Sequence, residues 1–253
     1  MSPEIVTLPC LSDNYAYLLH DAATRATAVI DVPEAGPVLT ALAERGWRLS
    51  DILITHHHSD HIGGVEALRA ATGARVTGAA ADARRLPPLD RAVREGDTVP
   101  LGGLAGRVLD APGHTIGHIA FHFPGALFSG DSLMVLGCGR LFEGDAPTMW
   151  ATLSNLARLP GDTLVCSGHE YAATNATFAL TVDPGNAALR ERAQDVAQAR
   201  AKGRPTVPAP LSLELATNPF LRASSPAVKA HLGMEGAADA DVFAELRHRR
   251  NAF

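Results

Sequence analysis

Cysteine is scarce in this 253-residue chain: Cys10, Cys138 and Cys166 are scattered, with no C-x-x-C spacing. That excludes a disulfide framework, suits a reducing compartment, and leaves the three as small buried apolar side chains. Cationic excess is missing too. Twenty-two Lys and Arg face 27 Asp and Glu, a net charge of −5, which offers no general attraction to nucleic acid or to a membrane surface. No apolar run is long enough to cross a bilayer. The start, Met1-Ser2-Pro3-Glu4, lacks the basic-then-apolar plan of a secretory signal. Neither nucleic acid nor membrane is an expected partner, and the expected location is the cytoplasm. No G-x-S-x-G elbow, G-x-G-x-x-G fingerprint or Walker pattern occurs, which argues against serine hydrolases, dinucleotide binders and P-loop enzymes. No repeat or low-complexity segment is apparent.

What the chain does have is Thr55-His56-His57-His58-Ser59-Asp60-His61. This stretch follows Asp51-Ile52-Leu53-Ile54, which reads as a buried strand, and precedes Gly63-Gly64, which opens a helix-like run. In an extended loop, residues two apart point the same way, so His56 and His58 converge on one point. Asp60 and His61 lie further on, placed for a second point. His57 falls between two ligands and should point away. Paired metals usually mean hydrolysis. An accidental histidine patch is set aside because three later segments each look like a strand ending in a metal-binding side chain. Ala111-Pro112-Gly113-His114-Thr115 offers His114, Ala126-Leu127-Phe128-Ser129-Gly130-Asp131 offers Asp131, and Thr163-Leu164-Val165-Cys166-Ser167-Gly168-His169 offers His169. Gly directly precedes each ligand, where a backbone without Cβ permits a tight turn.

Along the chain the pattern is strand-rich first and helical last. Glu4 to Leu8, Tyr15 to His20 and Ala26 to Asp31 read as strands, with Asp13-Asn14 as turn chemistry. Pro37 to Arg45 reads as a helix stopped by Gly46, and Val65 to Ala71 as one stopped near Gly73. Short strands follow around Val76, Val108 and Ile119 to Phe123. Pro147 to Leu159 reads as a helix ended by Pro160-Gly161. Beyond His169, Asn186 to Lys202, Leu211 to Ala216 and Asp239 to Arg250 read as helices, with Gly203 to Pro210 as a connector. A mixed α and β domain of residues 1–171 with a helical appendage of residues 172–253 is expected.

The succession T-H-x-H-x-D-H, G-H-T, S-G-D and G-H-E resembles the metallo-β-lactamase superfamily. Four later segments narrow the likeness: Gly137-Cys138-Gly139-Arg140-Leu141-Phe142-Glu143-Gly144, Cys166-Ser167-Gly168-His169-Glu170-Tyr171, Asp183-Pro184-Gly185-Asn186-Ala187 and Asn218-Pro219-Phe220-Leu221-Arg222. In that order they are similar to glyoxalase II, the hydroxyacylglutathione hydrolases, and the likeness runs from the first strand to the last residue. It implies an α+β fold, a metallo-β-lactamase-like αβ/βα four-layer sandwich with a C-terminal helical domain that binds glutathione. It also implies two divalent metal ions per chain, zinc by preference, iron or manganese otherwise. His56, His58 and His114 would hold one, and Asp60, His61 and His169 the other. Asp131 would bridge them, since a carboxylate has two oxygens to share. Nitrogen and oxygen ligation suits these metals and excludes a thiolate cage. Asp31 and His118, the latter in the run His114-Thr115-Ile116-Gly117-His118, would orient ligands.

The implied reaction is hydrolysis of S-(2-hydroxyacyl)glutathione, typically S-D-lactoylglutathione, to glutathione and D-lactate, the second step of methylglyoxal detoxification. A metal-bridging hydroxide, its parent water lowered from a pKa of about 15.7 towards ~7, would attack the thioester carbonyl, with Asp60 and Asp131 as the catalytic carboxylates. The leaving thiolate, from a thiol of pKa about 8.5, needs no strong general acid. Glutathione carries two carboxylates, and Arg140, Tyr171, Arg247 and Arg250 match the family's contact positions. Phe142 stands where the family commonly has a tyrosine, so one hydroxyl contact would be lost. The plain alternative for Arg247-His248-Arg249-Arg250 is a solvated helix end favoured by the dipole. The expected partner is a small-molecule thioester, and the expected unit a monomer. Two readings compete. A persulfide dioxygenase relative would use one iron and would lack the G-C-G-R-L-F-E-G run and the helical C-terminus. A vestigial binding protein is disfavoured because all seven ligand positions are filled. His57, His122, His20, His231 and His248 are expected to ligate nothing.

Overall fold

The structure is a computed structural model describing residues 3–253; Met1 and Ser2, on which the expectation for the chain's start partly rests, lie outside the described residues. The chain forms two compact units, one of residues up to Ala111 together with Gly117–Gly130, the other of Pro112–Ile116 together with Asp131–Phe253.

In the first unit, β1 (Glu4–Cys10), β2 (Asn14–Asp21) and β3 (Ala26–Ile30) pair antiparallel, then β4 (Leu49–Leu53), β5 (Arg75–Ala79) and β6 (Arg91–Val93) continue parallel from β3. Parallel neighbours need crossovers. These are α1 (Ala35–Arg45) between β3 and β4, and the one-turn α2 (Ser59–Ile62) followed by α3 (Val65–Thr72) between β4 and β5. Gly46 and Gly73 close α1 and α3 in the left-handed conformation, as expected of these two stops. Val38, Ala41 and Leu42 of α1 and Val65 and Leu68 of α3 join Leu18, Val29, Ile52 and Val76 of the sheet in one buried core. Strands β7 (Thr98–Leu101), β8 (Leu104–Asp110), β9 (Ile119–Phe123) and β10 (Ala126–Gly130) form an antiparallel run. The segment Ala111 to Thr115 is a turn rather than the expected strand end. The strand β8 stops at Asp110, just ahead of Pro112, which has no N–H to extend a ladder.

The second unit carries a short hairpin, β11 (Leu133–Met134) and β12 (Gly137–Cys138), then α4 (Ala146–Leu156), β13 (Leu164–Ser167), α5 (Ala172–Val182), α6 (Ala187–Ala201), β14 (Ala209–Pro210), α7 (Leu211–Thr217), α8 (Pro226–Leu232) and α9 (Asp239–Ala252). The helix α4 ends three residues before the expected Leu159, because the residue preceding Pro160 is pushed out of the α region and the chain turns at Ala157. Two helices are not expected from the pattern. In α5, Thr174, Thr177, Thr181 and Val182 are β-branched and weaken the helical signal, and α8 is only seven residues long. Phe178 stacks on Phe220 and Phe243 meets Phe220 edge-on, with ring centroids 6.0 and 5.8 Å apart, to form the apolar centre of these helices.

Candidate metal centre

Strands β3 and β4 end side by side, Ile30 against Leu53. Their carboxyl ends carry Asp31 and the histidine loop, where open α/β sheets commonly place ligands. Asp31 leaves β3 with φ 54°, a left-handed conformation that costs a non-glycine residue on the order of 1 kcal/mol or more. Three contacts hold it there. Its carboxylate accepts the N–H and the hydroxyl of Thr55, both at 2.8 Å, and lies 2.8 Å from Nδ1 of His61. With Nδ1 so engaged, His61 presents Nε2, 3.8 Å from Oδ2 of Asp60. Asp60 is braced by the side-chain amide of Asn14, which donates to its Oδ2 at 3.0 Å and its carbonyl at 3.1 Å.

The residues two apart in the loop do converge. His56 Nε2 is 3.2 Å from His58 Nδ1, and His56 Nδ1 is 3.0 Å from the Thr55 hydroxyl. Asp31, His56 and His61 each offer a ligand atom within 4.8 Å of the others. His57 turns to Asp82, with Nδ1 at 3.0 Å from Oδ2, and Arg85 donates to the other oxygen. His118 is buried and stacks on His56, ring centroids 4.8 Å apart. Gly130 (φ 49°) is required at the end of β10, because a Cβ there would come within 2.5 Å of Thr55 Oγ1 and 2.8 Å of His118 Nε2.

In the second unit, His114 Nδ1 is 2.8 Å from the carbonyl of Arg140, and His114 Nε2 is 3.4 Å from Asp131 Oδ2. His169 Nε2 reaches the same carboxylate oxygen at 3.3 Å. Ligand atoms around one tetrahedral zinc, with bonds of about 2.0–2.2 Å, lie about 3.4 Å apart. The spacings within each unit therefore fit nitrogen and oxygen donors gathered for a divalent cation. Gly139 admits this packing, since a Cβ would sit 2.0 Å from the Asp131 carbonyl. Phe142 meets His114 edge-on with centroids 5.2 Å apart, and Tyr171 stacks on His169 at 4.7 Å; both rings are exposed.

The three arginines differ in setting. Arg140 is exposed, Arg250 half-buried and Arg247 buried. Arg250 donates to Asn175 Oδ1 at 3.2 Å. Burial first, then the charges of Arg247 and Arg140, hold its guanidinium below the usual arginine value. An anion would relieve that repulsion. Burial pushes the Cys138 thiol up, although Arg247 beside it favours the thiolate. Asn14 and Asp82 contact the histidine loop and were not signalled as such by the sequence. Asn14 reads there as turn chemistry, and nothing local ties Asp82 to His57.

Residues 14–169 match the model of the metallo-β-lactamase superfamily, and residues 170–253 match that of the hydroxyacylglutathione hydrolase C-terminus. Curated hydroxyacylglutathione hydrolases of Cereibacter sphaeroides and Ruegeria pomeroyi are 63% and 61% identical, each over 100% of both chains. Among solved structures, ETHE1 from Myxococcus xanthus aligns with a TM-score of 0.68 at 29% identity, covering 99% of this chain and 92% of that one. TTHA1623 in a di-iron-bound form aligns at 0.62 with 29% identity, covering 86% and 100%. Fold, donor clusters and named relatives together define a metal-dependent hydrolase of the metallo-β-lactamase fold, α+β in class, with a helical C-terminal region. Within that class, the chain belongs to the hydroxyacylglutathione hydrolase family.

Proposed function

We infer that the protein hydrolyses S-(2-hydroxyacyl)glutathione, S-D-lactoylglutathione above all, to glutathione and a 2-hydroxy acid such as D-lactate, the second step of methylglyoxal detoxification. The observation that carries this is 63% identity over the full length of both chains to a curated hydroxyacylglutathione hydrolase. The matched C-terminal model and the filled G-C-G-R-L-F-E-G run favour the thioesterase over the dioxygenase. In this reading His56, His58 and His114 hold one divalent ion, Asp60, His61 and His169 a second, and Asp131 both, zinc being preferred over iron or manganese. When bound, such a pair supplies Lewis-acid activation of water and of the thioester carbonyl.

The chain's own residues prepare that chemistry. Asp31 and the Arg140 carbonyl fix Nδ1 of His61 and of His114, which turns each Nε2 to the Asp60 and Asp131 carboxylates beside which it would ligate. Asn14 holds the Asp60 carboxylate. Arg140 and Arg250 receive substrate carboxylates, together with any donor of Arg247 not spent on the protein. Phe142 offers an apolar ring, and Tyr171 a ring with a hydroxyl. Residues 1–171 carry the chemistry, and residues 172–253 join Arg140, Phe142 and Tyr171 in holding the substrate. Three buried free thiols suit a cytoplasmic protein, and a monomer suffices for this division of labour.

The test is release of free glutathione from S-D-lactoylglutathione by purified protein, with and without a chelator. Chelator-sensitive turnover is expected. Protein that carries two metals yet releases nothing would sink the assignment, and oxygen uptake with glutathione persulfide on a single iron would favour the dioxygenase.

A further inference from the structure

An arginine that served only as a surface clamp for substrate would extend its head towards solvent. Arg247 does the reverse. It is 5% exposed, and its guanidinium lies over the Phe220 ring at 5.3 Å. Nε donates to Asn251 Oδ1 at 2.9 Å, and Nη1 donates to the carbonyl of Cys138 at 3.0 Å. Cys138 ends β12, and two residues on Arg140 supplies the carbonyl 2.8 Å from His114 Nδ1. Between them Gly139 lies against both Asp131 and His114, too close for any Cβ. Two residues further on, the N–H groups of Phe142 and Glu143 donate to the His114 carbonyl, both at 3.3 Å.

The rest of the hairpin is gripped by other helical side chains. Asn218 donates to the carbonyls of Met134 and Gly137, Asn175 donates to that of Val135, and Glu214 accepts the N–H of Leu136. These hold Met134 to Gly137. Arg247 alone among them reaches Cys138, the end of the hairpin that leads to the imidazole.

We propose that Arg247 is a positioning residue for His114: by pinning the Cys138 carbonyl it fixes the Arg140 carbonyl, which sets the tautomer and tilt of the His114 ring. The inference rests on His114 being a metal ligand, as in the function proposed above. The C-terminal helix α9 then sets the geometry of a metal ligand as well as meeting the substrate.

The experiment uses full-length, zinc-reconstituted protein. Zinc affinities come from competition with a chromophoric chelator, steady-state constants are taken with S-D-lactoylglutathione, and the His114 Nδ1 proton is followed by imidazole 1H–15N NMR. Arg247→Ala is expected to loosen one of two zinc ions about 10–100-fold, lower kcat, and speed exchange of the His114 Nδ1 proton. Arg247→Lys keeps the charge without the fork, and is expected to restore KM more fully than kcat or zinc affinity. Unchanged affinity for both zinc ions with only KM raised would overturn the proposal and return Arg247 to simple substrate contact. If the alanine variant does not fold, the lysine variant separates the same two outcomes. His114→Ala is the control for the underlying ligand set. If it keeps both zinc ions at wild-type affinity, the ligand set itself fails. Loss of zinc there beside unchanged zinc in the Arg247 variants would fault the positioning role alone.

Discussion

Asp31 shows how a single carboxylate can orient an imidazole, here that of His61, which the proposed function makes a metal ligand. It sits in a strained backbone conformation and spends both oxygens on Thr55 and His61. Asp31→Ala should therefore weaken metal binding about 10–100-fold, measured by chelator competition. In the proposed centre, His58→Ala or Asp131→Ala should abolish turnover, while Arg250→Ala mainly raises KM in steady-state assays. A histidine outside the centre carries a separate prediction. Burial first, then Arg107 opposite it in the strand pair, holds His122 below the usual imidazole value. A folded value below the unfolded one means this contribution is present above about pH 6.5 and is lost as pH falls through the folded value. His122→Gln should remove that part of the acid-side fall in Tm, and Arg107→Ala should raise the His122 value in an NMR titration. The proposed donors were legible in the sequence as candidates, those of residues 56–61 through local spacing and His114, Asp131 and His169 through the family likeness. The oxygens that orient them were legible only where a side chain was already suspect, as at Asp31. Asn14 and the Arg140 carbonyl arrive from far along the chain.

Helix and strand ends follow the same division. Gly46 and Gly73 stop α1 and α3 where the sequence places them, since a left-handed closing residue is a property of one position. Asn186, read as the start of a helix, caps α6. Its side chain accepts the N–H of Leu189 at 3.1 Å and donates to Asp183 Oδ2 and to the Ala216 carbonyl. Asn186→Ala should cost about 0.5–2 kcal/mol, a fall in Tm of a few degrees in calorimetry. The helix α5 escaped local reading. Its Ala172, Asn175, Ala176 and Ala179 face inward, but its β-branched residues mute the pattern, and burial among other helices decides its conformation. The motif Asn218-Pro219-Phe220 gains its physical meaning from the β11–β12 hairpin, whose carbonyls Asn218 satisfies.

A bound metal stabilises the native chain as a whole, because the unfolded chain has no preformed site. Chelation should lower Tm, and the shift should reverse as zinc is titrated back, in step with its free concentration. A chain ended after Tyr171 would lose Asn175, Glu214, Asn218 and Arg247. The buried backbone groups from Met134 to Cys138 would then lose these partners, each at a cost of roughly 1–3 kcal/mol. Such a truncation should aggregate or unfold, as read by circular dichroism and size-exclusion chromatography. A soluble, folded fragment would show that the hairpin does not need the helices. The sequence by itself determined the candidate donors, the strand-then-helix order and the family. Each of these is written in residue type and short spacing, which survive without the fold. Only the tertiary structure decided which nitrogen of each histidine is held, that Arg247 points inward, and that Asn14 and Asp82 attend the histidine loop. For His57, His61, His114, Asn14 and Arg247 those outcomes depend on hydrogen bonds between residues 25 to 109 positions apart, and no local period along the chain encodes such meetings.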